Sequence, residues 1–276
     1  MKFQTCPRCG KTMADIGGHF QCLYCAFVQE DKKEEESKEY YALKTNIRIA
    51  EQAHENLLNN IDGSMDYCTK KRGITRNTIE KWNLGYAPEG FRLMPQQWGE
   101  RIIFPIRSND GAHIIGFGGR KTTADDRAKY LNSPASPWYN KSASLYGYSD
   151  VPEGADCIFL CEGYVDVLSM FAFGFFYPVA SLGTALTQQQ ANLIRKKAQT
   201  VCIAYDSDEP GRRNALRAAK LLLKAGFKAA DIRMLLVSDA KDVDEALQHG
   251  CTLCDVSYLE YLISKGEWDA YIDACI

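Results

Sequence analysis

Carboxylates recur at the ends of apolar runs in the second half of this 276-residue chain. Glu162 follows Cys157 to Cys161, Asp206 and Asp208 follow the run ending at Tyr205, and Asp242, Asp244 and Glu245 come shortly after the run ending at Val237. In an open α/β sheet, ligands bind outside the carboxyl ends of the strands, so acids far apart in sequence can converge there. Converging carboxylates need cations, and hard oxygen donors suit Mg²⁺ or Mn²⁺. Two such ions can activate a 3′-hydroxyl while stabilising a leaving pyrophosphate. Each acid alone reads at least as well as a helix cap or loop residue. The residues surrounding the three sets decide between the two readings.

A second chemistry sits at the other end of the chain. Cys6-Pro7-Arg8-Cys9 and Cys22-Leu23-Tyr24-Cys25 are two knuckles with 12 residues between them, spaced to place four thiolates around one tetrahedral Zn²⁺. A module of about 28 residues has too little core to fold without the metal. The full count of 11 cysteines is odd, so it is no disulfide framework. Cys157, Cys161 and Cys202 fall in apolar runs as small hydrophobes. Cys251 and Cys254 have knuckle spacing but no second pair follows them.

The charge balance, 33 Lys+Arg against 35 Asp+Glu, gives a net −2 and no global pull toward nucleic acid or membrane. Residues 70–141 differ, with 13 Lys+Arg against 6 Asp+Glu. Such a local basic track suits a phosphate backbone bound without sequence readout. No apolar stretch reaches the roughly 18 residues of a membrane span, and the N-terminus lacks the apolar core of an export signal. The expectation is a cytoplasmic protein without membrane contact.

The elements that must position these residues follow from local patterns. Residues 30–39 are charged throughout and read as a solvated linker or exposed helix face after a zinc ribbon at 1–29. Helical spacing from Ile49 to Ile61, a short helix from Thr75 to Trp82, and two apolar runs flanking Asn109-Asp110-Gly111 give 40–154 a mixed α/β character with an antiparallel hairpin. From 155 to 250, four apolar runs alternate with helical segments, the mark of a mainly parallel sheet flanked by helices. Thr187 to Gln190 forms a capping-box pattern, and another helix follows Pro210-Gly211. Residues 251–276 read as a short C-terminal helical segment. The fold class is therefore α+β together with α/β.

Taken together, Glu162-Gly163-Tyr164-Val165-Asp166, Ser181-Leu182-Gly183-Thr184, Asp206-Ser207-Asp208-Glu209-Pro210-Gly211 and Asp242-Val243-Asp244-Glu245 closely resemble the TOPRIM module of bacterial-type, DnaG-like DNA primases. Upstream, Ile115-Gly116-Phe117-Gly118-Gly119-Arg120, Lys129-Tyr130-Leu131-Asn132-Ser133-Pro134 and Leu84-Gly85-Tyr86-Ala87-Pro88 are similar to the same family's N-terminal core. The likeness spans roughly residues 40 to 250. It implies Glu162, Asp206 and Asp208 as catalytic acids, and Glu162, Asp206, Asp208, Asp242 and Asp244 as Mg²⁺ or Mn²⁺ ligands, with Asp166 as an additional one. It also implies Arg72, Arg101, Arg120, Lys129, Tyr130, Asn132 and Lys141 as contacts to template or nucleotide. Val243 departs from the family, which usually has proline there, and the change expected is in loop stiffness.

The implied function is a DNA primase: a DNA-directed RNA polymerase joining ribonucleoside triphosphates into short primers on single-stranded DNA by two-metal nucleotidyl transfer. One Zn²⁺ would aid template recognition. Its four-cysteine set is closer to phage-type enzymes than to the Cys-His-Cys-Cys set common in cellular ones. Only 26 residues follow position 250, so a helicase would be a separate partner; alternatively the chain is a reduced phage or mobile-element enzyme, or a fragment. The rival readings are a TOPRIM nuclease and a non-catalytic zinc and TOPRIM recombination-mediator clamp. The upstream motifs argue against the first and the complete acid set against the second.

Overall fold

A computed structural model describes residues 3–5, 10–16, 19–22, 28–29, 32–93, 96–183 and 185–267. The chain divides into two compact units, 1–46 and 47–276. In the first, β1 (Phe3–Thr5), β2 (Thr12–Ile16), β3 (His19–Cys22) and β4 (Val28–Gln29) form an antiparallel meander. Cys22 is buried on β3 opposite Met13. Cys6, Cys9 and Cys25, the other three expected zinc ligands, lie outside the described residues. Helix α1 (Lys32–Leu58) starts in this unit and ends in the next. Of the two readings of 30–39, linker or exposed helix face, the structure has helix from Lys32, in keeping with Lys and Glu as strong helix formers.

Ala50, Ala53 and Leu57 on α1 are buried, in keeping with the helical spacing there. Asn60, Asp62 and Gly63 turn the chain with positive φ into α2 (Ser64–Asp66), which runs on as a π-helical turn over Tyr67–Lys71. Helix α3 (Arg76–Lys81) is capped by Thr75, whose Oγ1 accepts the Thr78 N–H at 3.1 Å. Then come β5 (Gly85–Ala87), a small ribbon of β6 (Arg92–Leu93) and β7 (Gln96–Gln97), and the longer strands β8 (Arg101–Arg107), β9 (Ile114–Lys121) and β10 (Tyr130–Asn132). Strands β10, β9, β8 and β5 pair antiparallel in that order, and Asn109 to Gly111 closes the β8–β9 hairpin with Gly111 at φ 78°.

The second sheet is built from β11 (Ala155–Cys161), α4 (Tyr164–Ala172), β12 (Pro178–Ala180), α5 (Gln188–Lys197), β13 (Ala198–Ala204), α6 (Glu209–Lys224), β14 (Ile232–Val237), α7 (Val243–His249), β15 (Leu253–Ser257) and α8 (Tyr258–Lys265). Its strand order is β12-β11-β13-β14-β15, parallel except for the last pair. Ile158, Leu160, Val201, Ile203 and Ile232 are buried in the same core as Ala215, Ala218 and Ala219 of α6. Strand β15 corrects the expectation of helix alone after 250. It is an edge strand with few buried positions, held partly by an ion pair from Arg233 to Asp255 at 2.7 Å, so little apolar alternation marks it.

An aromatic junction joins the two sheets. Tyr164, the first residue of α4, is buried, stacks on Phe104 of β8 with centroids 4.7 Å apart, meets Tyr146 edge-on at 4.8 Å, and donates its hydroxyl proton to Asn132 Oδ1. Its ring fills the space over Gly118 of β9, where a Cβ would stand 2.3 Å from it. Among the described residues, no helix is long and apolar enough to cross a membrane.

Candidate active site

The carboxyl ends of β11, β13 and β14 deliver Glu162, Asp206 and Asp242 to one cleft of about 520 Å³. Asp166 and Asp244 also line it, one turn into α4 and at the start of α7, together with Glu245. The same cleft is lined by Arg120, Lys129 and Tyr130 of the β9–β10 region, by Arg72 after the π-helical turn, and by Lys241, Gln248 and His249.

Two loops are clasped together to align the acids. The Ser207 N–H and hydroxyl both donate to the Lys241 carbonyl at 2.9 Å, and the hydroxyl also reaches the Ala240 carbonyl at 2.8 Å. The loop bearing Asp206 therefore moves with the loop bearing Asp242. Gly211 lets α6 sit directly on this turn: a Cβ there would lie 2.2 Å from the Asp206 carbonyl oxygen. Asp242 caps α7 by accepting the Glu245 N–H at 2.8 Å, and Asp208 caps α6 by accepting the Gly211 N–H at 2.8 Å. The capping role and the cleft-lining role thus coexist at Asp242. Asp208 is exposed and outside the residues lining the cleft, though its charge acts on Glu162 and Asp206.

The remaining acids are less free. Asp166 Oδ2 accepts the Gly163 N–H at 3.0 Å. Asp244 Oδ1 accepts from the Ser169 hydroxyl and from Gln248 Nε2, the latter at 2.6 Å, tying α4 to α7. Gln248 Nε2 also donates to the Arg72 carbonyl at 3.0 Å, a bridge from α7 to the basic wall.

The acids burden one another. Burial, then the charge of Asp206, pushes the Glu162 carboxyl up to about 7. Burial, then Asp242, Asp206 and Asp244, pushes Asp166 up to about 8. Asp206 is raised by burial and by Asp242. The buried Glu162 Oε1 has no hydrogen-bond partner in the protein. A partnerless buried carboxylate oxygen beside two partly exposed carboxylates is the donor chemistry of a hard divalent cation. Among the described residues, no three candidate ligands already stand together as a coordination shell, so side chains must adjust to form one.

Because both carboxyls titrate higher in the folded chain than their ordinary 4.5 and 3.8, the folded protein holds more protons than the unfolded one between about pH 4 and 8. Their contribution to stability is greatest at the acid end and is lost as pH rises through that window. In a chelator, the melting temperature should fall by roughly 5 °C from pH 5.5 to 8.5, and millimolar Mg²⁺ should flatten the slope. A melting temperature that climbs over this range in chelator would contradict the electrostatics of the cleft.

On the basic wall, phenols rather than carboxylates hold the cations. Arg120 Nη1 donates to the Tyr130 hydroxyl at 2.5 Å, and Arg72 Nε donates to the Tyr67 hydroxyl at 3.3 Å. Burial opposes ionisation of Tyr67, but Arg72 and Arg120 outweigh it and lower its titration point. Lys129 lies 5.7 Å over the Tyr130 ring and is lowered by burial, then by Arg120, Lys241 and Arg72. Among the described residues no carboxylate lies within ion-pair distance of Arg72, Arg120 or Lys129, so their charge faces the cleft uncompensated.

Three residues expected to touch ligand are not among those lining the cleft. Arg101 is buried, and its Nη2 and Nη1 donate to the carbonyls of Ala128 and Lys129 at 2.8 and 3.3 Å, which supports the Lys129 turn. Asn132 is engaged by Tyr164. Lys141 does not line the cleft. Sequence reasoning passed over Lys241, Gln248 and Tyr67. Lys241 directly precedes the Asp242-Val243-Asp244-Glu245 motif; Tyr67 gains its role from Arg72 five residues on, and Gln248 from Asp244 one turn back together with the distant Arg72 carbonyl.

Comparison with known proteins agrees with this layout. Residues 92–151 match the family model of the DNA primase catalytic core, N-terminal domain, and residues 159–247 match a Toprim-like model. A DNA primase of Clostridium acetobutylicum is 34% identical over 247 residues, covering 78% of this chain and 40% of the relative. The solved zinc-binding and RNA polymerase domains of Aquifex aeolicus primase superpose with a TM-score of 0.66 at 27% identity, covering 96% of this chain and 81% of that one. A DnaG primase catalytic domain bound to single-stranded DNA gives 0.63 at 25% identity, over 80% and 84% of the two chains. This chain spans 31% to 48% of the length of the first curated relatives it matches.

Proposed function

This chain belongs to the DnaG-type family of DNA primases, and on that footing we propose that it joins ribonucleoside triphosphates into short primers on single-stranded DNA. The observation that carries the reading is one cleft lined both by Glu162, Asp206 and Asp242 and by Arg72, Arg120 and Lys129. Polymerisation needs both: carboxylates to hold divalent cations, and uncompensated positive charge to hold phosphates.

Glu162, Asp206 and Asp242 would hold Mg²⁺ or Mn²⁺, with Asp208 and Asp244 supporting them and Asp166 behind. When bound, such ions supply activation of a 3′-hydroxyl and neutralisation of the leaving pyrophosphate. The protein's own part is positional. The Ser207 clasp keeps two acid loops in register, Arg101 fixes the turn carrying Lys129, and Tyr67 and Tyr130 aim Arg72 and Arg120 without cancelling their charge. Single-stranded DNA, the ligand named for one solved relative, would follow the basic wall as template.

At the N-terminus, Cys6, Cys9, Cys22 and Cys25 would bind one Zn²⁺ that steadies the ribbon for template recognition; the spacing of the two pairs supports this. The four-cysteine set favours a phage or mobile-element relative, and a separate replicative helicase would be the partner.

The test is to incubate the full chain with mixed-sequence single-stranded DNA, labelled ATP or GTP, the other ribonucleotides, and Mg²⁺ or Mn²⁺. Short labelled oligonucleotides that need both template and divalent ion are the expected product. Cleavage of the DNA without synthesis would replace this reading with a nuclease.

A further inference from the structure

Lys241 precedes the capping residue Asp242, and its ammonium stands 3.8 Å from Asp242 Oδ2 and 3.9 Å from Asp206 Oδ2. These carboxylates come from different strands, and the charge between them is shared rather than hydrogen-bonded, because both distances exceed hydrogen-bond length. The Lys241 backbone is fixed on both sides. Its N–H donates to Glu245 Oε2 at 2.7 Å, and its carbonyl receives both Ser207 donors. Its side chain is not fixed: it is 58% exposed, against 25% and 24% for the two acids. The result is an exposed ammonium on a backbone hydrogen-bonded on both sides, placed within 4 Å of both cleft carboxylates.

Asp206 and Asp242, if they hold a divalent ion, would offer it the same carboxylates that Lys241 now neighbours. A unit positive charge about 4 Å from those oxygens would repel it, so the two cations compete for one position. Resting on the two-cation reading above, we propose that Lys241 is the resident counter-cation of the Asp206–Asp242 pair, displaced by the incoming divalent ion and then turned toward the phosphates of the nucleotide. Before the metal arrives, Lys241 relieves repulsion between the acids. Afterwards the same ammonium adds a fourth positive group to Arg72, Arg120 and Lys129. The residue thereby raises the divalent-ion concentration at which the site fills and couples filling to phosphate capture.

The test uses the full chain without nucleotide, titrated with Mn²⁺ while free Mn²⁺ is read by electron paramagnetic resonance. Lys241→Gln should bind Mn²⁺ about three- to tenfold more tightly than wild type, because an opposing unit charge is gone. Lys241→Arg, which keeps the charge, should stay within about twofold of wild type. Inorganic triphosphate added to the Mn²⁺-loaded proteins should bind several-fold more weakly to Lys241→Gln. Equal or weaker Mn²⁺ binding by a folded Lys241→Gln, with wild type still binding, overturns the counter-cation role and leaves the primase reading standing. If wild type takes up no Mn²⁺ at millimolar concentration, the two-cation site and this inference fall together.

Discussion

Asp206→Asn should lower primer synthesis by on the order of 10²- to 10³-fold while leaving the fold as stable as before or slightly more stable. Asn has the same shape, so the turn and the Ser207 clasp survive. What disappears is one negative charge facing Asp242, and burial together with that neighbour already disfavours the charge. The change therefore separates folding from function: relief of like-charge repulsion favours the fold, while on the proposed reading loss of an anionic oxygen donor would weaken cation binding. Thermal melts in chelator and quantified labelled primers read the two effects on one preparation. Asp208→Asn is a useful contrast. Asn caps a helix about as well as Asp, so α6 should hold, and the loss of synthesis measures how far an exposed acid outside the cleft lining contributes. Synthesis by Asp206→Asn within about threefold of wild type would remove Asp206 from the chemistry.

Gly211→Ala is the second large effect. The new methyl would sit 2.2 Å from the Asp206 carbonyl oxygen, 2.8 Å from its carbonyl carbon and 2.9 Å from its Cβ. None of these atoms is the far end of a flexible side chain, so either the first turn of α6 retreats or the Asp206 turn shifts. Overpacking of this kind costs about 1–3 kcal/mol. A shift of the acid by about 1 Å also carries roughly a hundredfold loss of rate. Gly154→Ala provides the control, since a Cβ there meets nothing within 4 Å and only its positive φ of 76° is strained. It should lose about 1 kcal/mol of stability with synthesis near wild type at a permissive temperature. If Gly211→Ala behaved the same way, the close packing of α6 on Asp206 would have no part in placing the acid.

Much of the site was legible because its acids follow a topological rule. Apolar runs ending in Glu162, Asp206 and Asp242 fold as adjacent parallel strands, and their carboxyl ends share one edge. The cap at Thr187 was equally visible, since a cap is a contact between residues three apart. Roles created by contacts across the chain were not. Arg101 has the same chemistry as Arg120 in sequence, but burial against the 128–129 carbonyls turns it into a support. Gln248 bridges Asp244 and the Arg72 carbonyl, 176 residues away from the latter. Charge alone left residues 32–39 open between linker and helix face, and β15 was masked by its edge position.

Tyr164 has a bearing on inheritance. It lies two positions after Glu162, yet its ring fits only because β9 has glycine at 118, and its hydroxyl is satisfied only by Asn132 on β10. A Toprim-like segment transplanted onto another scaffold would carry the plug without the socket, and a transplanted basic half would carry a socket with nothing to fill it. The smallest piece that evolution or an engineer could exchange among primases is thus the pair of sheets, and drift at either member of the Gly118–Tyr164 contact is constrained by the other.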